Sequence, residues 1–106
     1  MKKYDLKKFI KGWFIGDFEP TLFPSKDFEV AIKRYKLNDH EESHTHKIST
    51  EYTLIVTGSV LMNDEVYNED DIIIIDPNEY TNFICLSDVV TCVVKIPSSK
   101  NDKYLK

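Results

Sequence analysis

The chain has 106 residues and a mass of 12.4 kDa, with 18 acidic against 14 basic residues and a formal net charge of −4. A chain of this length forms one domain around one hydrophobic core. Its acidic balance excludes an electrostatic footprint for nucleic acid, and it has neither an apolar run of about 18 residues nor a signal-peptide core. We therefore expect a single domain over residues 1–106, in the cytoplasm, with no nucleic-acid or membrane partner.

The N-terminal part of the chain predicts little regular structure. Residues 1–11 combine five lysines with spaced apolar residues, which favours a short helical or irregular segment closing one end of the domain. Gly12 interrupts this pattern, and the aromatic-rich residues 13–18 predict a first strand. Pro20 and Pro24 indicate an irregular connection, because proline cannot donate a hydrogen bond to a β ladder.

The remainder of the chain has the pattern of short strands separated by turns. Residues 28–37 alternate between apolar and polar side chains, which predicts a half-buried strand. The β-branched run 72–75 predicts a central strand buried on both faces. Residues 80–86 and 89–96 predict a last hairpin. Eight to ten short strands predict an all-β fold, an antiparallel barrel or double-sheet jelly roll, with an open β-sandwich as the alternative.

The side chains that could ligate a metal are concentrated between residues 40 and 51. Three histidines, His40, His44 and His46, fall within seven residues. Successive side chains of a strand point to opposite faces, so His44 and His46 share one face. A hairpin through residues 47–50 would bring Glu51 alongside. Two imidazoles and one carboxylate suit Fe, Mn, Ni or Zn and leave coordination positions open, although histidines on the surface of a polar loop are the alternative.

The spacing of these residues resembles the first sequence motif of the cupins, which are small antiparallel β-barrels. His44, one residue, His46, four residues, Glu51, six residues and Gly58 reproduce that motif. Asn38 stands in the place of its leading glycine. Asparagine tolerates a positive φ better than other non-glycine residues, so the turn is retained.

The second cupin motif is present in a degenerate form. Asp71 and Pro77 occupy their expected places, and Asn78 again replaces a glycine. The resemblance implies that the fourth metal ligand of the family, a histidine, is replaced here by Thr81, or by Asn82 if the register shifts by one residue. The similarity covers residues 28–96, which are the expected core of a cupin double-stranded β-helix.

The resemblance implies a divalent transition metal (Fe, Mn, Ni or Zn) at His44, His46 and Glu51. Because its spacing from His44 is even, His40 is a further candidate for the fourth position. The implied function is a metal-dependent enzyme, of the dioxygenase or isomerase type, acting on a small polar metabolite. The alternatives are a non-catalytic module that binds a small ligand or sugar, and a structural homodimer with a vestigial site. No catalytic acid, base or nucleophile is assigned.

A homodimer is expected on two grounds. Cupins often dimerise, and the strand after Glu51 alternates in a way that places Tyr52, Leu54 and Val56 together on the face opposite Glu51. An apolar row of this kind has to be covered by a second sheet, by the N-terminal segment or by a second subunit.

Overall fold

The structure is a computed structural model that describes residues 1–105, and within them it contains one 3₁₀ turn and ten β-strands. The turn, Leu6–Lys8, is the short helical segment expected near the N-terminus, and Asp5 caps it. The strands are β1 (Trp13–Ile15), β2 (Glu29–Tyr35), β3 (His40–Thr45), β4 (Thr50–Thr57), β5 (Ser59–Met62), β6 (Glu65–Asn68), β7 (Ile72–Ile75), β8 (Thr81–Cys85), β9 (Val89–Ile96) and β10 (Tyr104–Leu105).

The strands form two antiparallel five-stranded sheets. The first sheet has the order β1-β2-β9-β4-β7 and the second has the order β10-β3-β8-β5-β6. Between the sheets lies a core in which Ile55, Val60, Phe83 and Val89 are almost fully buried. This arrangement confirms the predicted all-β double-stranded β-helix. The sheets also include β1 and β10, which lie outside the range 28–96. Within residues 1–105, no helix is long and apolar enough to cross a membrane.

Two connections that the sequence predicted as hairpins join opposite sheets instead. The strand β3 belongs to the second sheet and β4 to the first, so the loop of residues 46–49 crosses from one sheet to the other. The same holds for β8 and β9. Predicting both as hairpins was wrong, because a short loop between two strands fits either a ladder neighbour or a corner between layers. The correction matters for the site, since it places Glu51 across the interior from the histidines.

The expectation of a central strand at residues 72–75 was also wrong. The strand β7 is an edge strand that pairs only with β4. Ile73 and Ile75 pack against the core, whereas Ile72 and Ile74 are 66% and 56% exposed. A strand made of β-branched residues is buried on both faces only when other layers of the protein cover both faces of its sheet.

The exposed isoleucines belong to a larger apolar surface. As predicted, Tyr52, Leu54 and Val56 face away from the interior, since Thr53 and Ile55 between them are buried. Tyr52 lies between Ile74 and Val94 in the register of the first sheet. We call this surface the outer apolar face; it comprises Val30, Ile32, Tyr52, Leu54, Val56, Ile72, Ile74, Val90, Cys92 and Val94.

Candidate functional site

A cavity of about 190 Å³ lies between the two sheets. This volume is below the roughly 300–1,000 Å³ of pockets that take drug-sized ligands, so the cavity suits a small metabolite. Its apolar lining comes from Trp13, Met62, Phe83 and Val93. The polar lining consists of His44, His46, Glu41, Glu51, Thr53, Thr81, Thr91, Tyr35 and four lysines, Lys11, Lys33, Lys95 and Lys103.

The two histidines of the motif lie together at this cavity. Their ring centroids are 5.4 Å apart and the rings are nearly perpendicular. His44 is on β3, and His46 follows the end of that strand. The alternation of a strand therefore brings both side chains to the interior, as the spacing predicted.

The nitrogen atoms of the two rings are in different environments. His44 Nδ1 lies 2.9 Å from the carbonyl oxygen of Glu42. A carbonyl only accepts hydrogen bonds, so this contact places a proton on Nδ1, and in the neutral tautomer the lone pair is then on Nε2. His46 is 7% exposed, and its Nε2 is buried without a hydrogen-bond partner in the described part of the chain. Burial, with a contribution from Lys95, lowers the pKa of His46, which favours the neutral imidazole.

Glu51 lines the same cavity from the opposite sheet. Its Oε2 accepts a hydrogen bond of 2.7 Å from the Thr53 hydroxyl. In the part of the chain that the structure describes, no three His, Cys, Asp or Glu side chains lie close enough to hold a metal ion together. The three predicted ligands thus share one cavity without forming a closed coordination group, and their assignment as metal ligands stays a prediction.

The candidates for the fourth position are placed in different surroundings. Thr81 lines the cavity and is opposite His44 in the ladder between β3 and β8. Asn82 instead exchanges hydrogen bonds with Asn63, its Oδ1 accepting from the Asn63 N–H at 2.8 Å. His40 is exposed and lines a separate, open groove beside the N-terminal segment. Among these three, Thr81 is the one beside His44 and His46.

The loop that carries His46 is held by a residue that the sequence analysis did not identify. Asp102 is buried, and its carboxylate accepts hydrogen bonds of 2.9–3.2 Å from the backbone N–H groups of Lys47, Ile48 and Ser49. Burial opposes ionisation of Asp102, but these hydrogen bonds prevail and lower its pKa. No local signal points to this contact, which joins residues more than 50 positions apart.

On the first sheet, across the cavity from the two histidines, Lys33 and Lys95 form a positively charged surface around Trp13, which we call the cationic wall. The ammonium groups of Lys33 and Lys95 lie 5.2 Å and 5.1 Å from the centroid of the Trp13 ring. The alternation of residues 28–37 does place Lys33 on the same face as Ala31, which is fully buried. The burial of Ala31 in the structure shows that this face points inward, whereas the alternation in the sequence does not say which face is buried and gives no indication that Lys95 and Trp13 are neighbours of Lys33.

Comparisons with known proteins identify the fold. No protein-family model matches the chain, and no curated protein matches its sequence. An uncharacterised conserved protein with a double-stranded β-helix domain from Klebsiella pneumoniae has a TM-score of 0.71 at 13% identity, covering 98% of this chain and 90% of that one. An RmlC-like cupin from Shewanella frigidimarina has a TM-score of 0.66 at 14% identity, covering 73% and 71%.

An enzyme of known activity is also similar. Oxalate decarboxylase from Bacillus subtilis has a TM-score of 0.68 at 17% identity, covering 76% of this chain but 24% of that one. That enzyme has Mn(II) centres. At such identities the likeness concerns the fold, and it confirms the predicted cupin fold.

Proposed function

We propose that the cavity is the active site of a metal-dependent, cupin-fold enzyme that acts on a small polar metabolite. The metal ligands would be His44, His46 and Glu51. The observation that carries this proposal is the buried Nε2 of His46, which has no hydrogen-bond partner in a cavity that also contains His44 and Glu51. A buried polar atom without a partner is costly unless a ligand, ion or water satisfies it.

The donor set fits a divalent transition metal. A neutral imidazole coordinates through an unprotonated nitrogen, and within residues 1–105 His46 Nε2 makes no hydrogen bond while His44 is hydrogen-bonded through Nδ1 alone. Imidazole and carboxylate ligands suit Fe, Mn, Ni and Zn. The Mn(II) centres of the structurally similar oxalate decarboxylase make Mn one of these candidates. Glu51 would complete the set with its carboxylate, of which one oxygen, Oε2, accepts the hydrogen bond from Thr53.

The chemistry follows from the incomplete ligand set. A bound metal with open positions supplies a Lewis acid or redox centre, which is compatible with dioxygenase or isomerase reactions. Thr81 stands beside His44, where its hydroxyl can donate a hydrogen bond to a bound ligand. The small cavity limits the ligand to a compact metabolite.

A second candidate is a non-catalytic module that binds a small ligand. It is favoured by the observation that, among residues 1–105, no three His, Cys, Asp or Glu side chains lie close enough together to hold a metal ion. The open, charged cavity agrees with either of these two functions and does not favour a vestigial site filled by side chains.

The test is elemental analysis of protein produced without a histidine tag and incubated with Fe(II), Mn(II), Ni(II) or Zn(II). We expect about one equivalent of one metal in the parent protein and none in a His44→Ala/His46→Ala double variant, since the ligand set loses both nitrogens. His40→Ala is the matched control, because His40 lies outside the cavity and its loss should leave the metal content unchanged.

The two candidates separate on this result. Metal that survives in the double variant, or is lost in His40→Ala, would contradict the ligand assignment. A parent protein that retains none of the four metals would overturn the enzyme proposal in favour of the binding module.

A further inference from the structure

The cationic wall of the cavity is made by residues from three neighbouring strands of the first sheet. Trp13 on β1, Lys33 on β2 and Lys95 on β9 all line the cavity. Because each ammonium lies about 5 Å from the same indole ring, the two charges are at most about 10 Å apart. An aromatic face holds a cation by its quadrupole and leaves the outward N–H groups of that cation available.

Neither ammonium group forms a salt bridge with a carboxylate of residues 1–105. Across residues 1–105, no carboxylate oxygen lies within 4.0 Å of Nζ of Lys33 or Lys95. The register places Lys95 between Glu29 and Glu51, but both acids have other donors. Glu29 accepts hydrogen bonds from the Ser98 hydroxyl and the Ser99 N–H, and Glu51 accepts one from Thr53.

Burial of the Lys33 ammonium carries an electrostatic cost that an anion would relieve. Burial lowers the pKa of Lys33; the charge of Glu41 is the strongest opposing cause, and the charge of Lys95 adds to the lowering. Lys11 and Lys103 add two further cations to the lining, against Glu41 and Glu51 as its acids. The cavity therefore has an excess of basic residues in a protein whose formal net charge is −4.

A neutral donor lies next to Lys33. Thr91 is paired with Lys33 across β2 and β9 and lines the same cavity. It is 1% exposed, and its hydroxyl is buried without a hydrogen-bond partner among residues 1–105. Among residues 1–105, this hydroxyl and His46 Nε2 are the two buried side-chain polar atoms without a hydrogen-bond partner, and such atoms call for a ligand, ion or water.

We infer that the ligand of this cavity is a small anion, whose carboxylate or phosphate group binds against Lys33 and Lys95 with the Thr91 hydroxyl as a further donor. The inference deepens the proposed function by naming the substrate class, and it rests on that proposal only in placing the ligand in the same cavity. The anionic group is held on the wall of the first sheet, so the remainder of the molecule extends toward His44 and His46.

Trp13 provides the signal for the test, because it is the only tryptophan of the chain and its ring centroid lies 5.2 Å and 5.1 Å from the ammonium groups of Lys33 and Lys95. Metal-free parent protein is titrated with malonate and, separately, with inorganic phosphate at constant ionic strength, and Trp13 fluorescence and calorimetric heat are followed. Malonamide is the uncharged control. We expect a saturable response to malonate, to phosphate or to both, and none to malonamide. The anion that binds more tightly identifies the chemical source of the charge.

Variants assign the binding to the proposed residues. Lys33→Met and Lys95→Met each remove one charge while keeping an unbranched apolar chain, and each should weaken binding by about tenfold or more. Thr91→Val keeps the shape of the side chain and should weaken binding severalfold. Lys36→Gln is the matched control, since Lys36 is exposed outside the cavity, and its affinity should equal that of the parent.

The inference is overturned if neither anion gives a saturable response up to about 10 mM, where even millimolar binding would be evident. It is also overturned if Lys36→Gln weakens binding as much as the cavity variants do. Should the lysine variants fail to fold, Thr91→Val and the malonamide comparison still decide. If the protein binds the anion but takes up no metal, this inference is supported and the metal proposal fails. If the protein takes up metal but binds no anion, the metal proposal is supported and this inference fails.

Discussion

Asn78 shows how one backbone conformation supports the candidate site. Its φ of 72° lies in the left-handed region, and its N–H donates a hydrogen bond of 2.7 Å to the carbonyl of His46. Asn38, the other asparagine that replaces a motif glycine, has a φ of 73°. The predicted positive φ at Asn38 is therefore confirmed, and the turn at Asn78 fixes the backbone that carries His46.

We expect Asn78→Ala to destabilise the protein by about 1 kcal/mol, since a Cβ without a compensating polar group is strained in this conformation. Asn78→Gly should be close to neutral, because glycine adopts positive φ without steric cost. Urea unfolding of both variants measures the difference. Equal stabilities for the two variants would show that the backbone conformation at residue 78 is not the source of the effect.

The histidines suited to metal coordination were predictable from the sequence, whereas the residues that share their cavity were not. His44 and His46 reach one cavity because strand geometry has a period of two, a rule that acts over two residues. Lys95 and Thr91 face that cavity by the same rule, but nothing local indicates that β9 lies between β2 and β4. Charged residues on strands are ordinary at exposed positions, so their composition does not signal a cavity.

At the scale of elements, the C-terminal segment has a structural role that its polar composition conceals. The strand β10 pairs with β3, placing Tyr104 opposite Thr45. Asp102, just before β10, binds three backbone N–H groups of the loop between β3 and β4. The segment thereby fastens the end of the strand that carries His44 and the loop that carries His46.

We expect Asp102→Asn to lower the free energy of unfolding by about 2 kcal/mol at neutral pH, because hydrogen bonds to a charged acceptor are replaced by weaker ones. The pKa of Asp102 is lowered in the folded protein. Its contribution is therefore fully present above the unfolded pKa of about 3.9 and is lost as the pH falls through the lower, folded value.

Urea unfolding at neutral pH and at several acid pH values tests this prediction. The stability difference between parent and variant should shrink below about pH 4, the range in which the carboxyl becomes protonated. Asp27→Asn is a suitable control, because Asp27 is exposed and its carboxylate makes no hydrogen bond within the described chain. If the stability difference between the parent and Asp102→Asn persists unchanged in acid, the loop depends on the shape of the Asp102 side chain and not on its charge.

At the scale of the whole molecule, the outer apolar face predicts self-association. Exposed apolar patches beyond a few hundred Å² are uncommon on monomers, and a flat sheet face can pair with its own copy about a two-fold axis. We expect a homodimer at concentrations on the order of tens of micromolar. Ile74→Lys should shift the protein to monomer, because Ile74 lies beside Tyr52 on this face and is 56% exposed.

Sedimentation equilibrium distinguishes the outcomes. Val66→Lys is the matched control, because Val66 is 54% exposed but lies on β6, at the edge of the second sheet. This control variant should remain dimeric. A parent protein that is monomeric throughout, or a dimer that only Val66→Lys disrupts, would contradict the assignment of the interface to the first sheet.

The position of β7 has a consequence for how the protein avoids aggregation. Four consecutive isoleucines on an edge strand present unpaired backbone groups together with high β propensity, the combination that templates cross-β assembly. The strand is only four residues long and is bounded by Asp70, Asp71, Asp76 and Pro77. Charge and proline at the ends of such a segment are gatekeepers against strand addition. The residues that flank β7 therefore oppose the addition of a further strand at this edge of the first sheet.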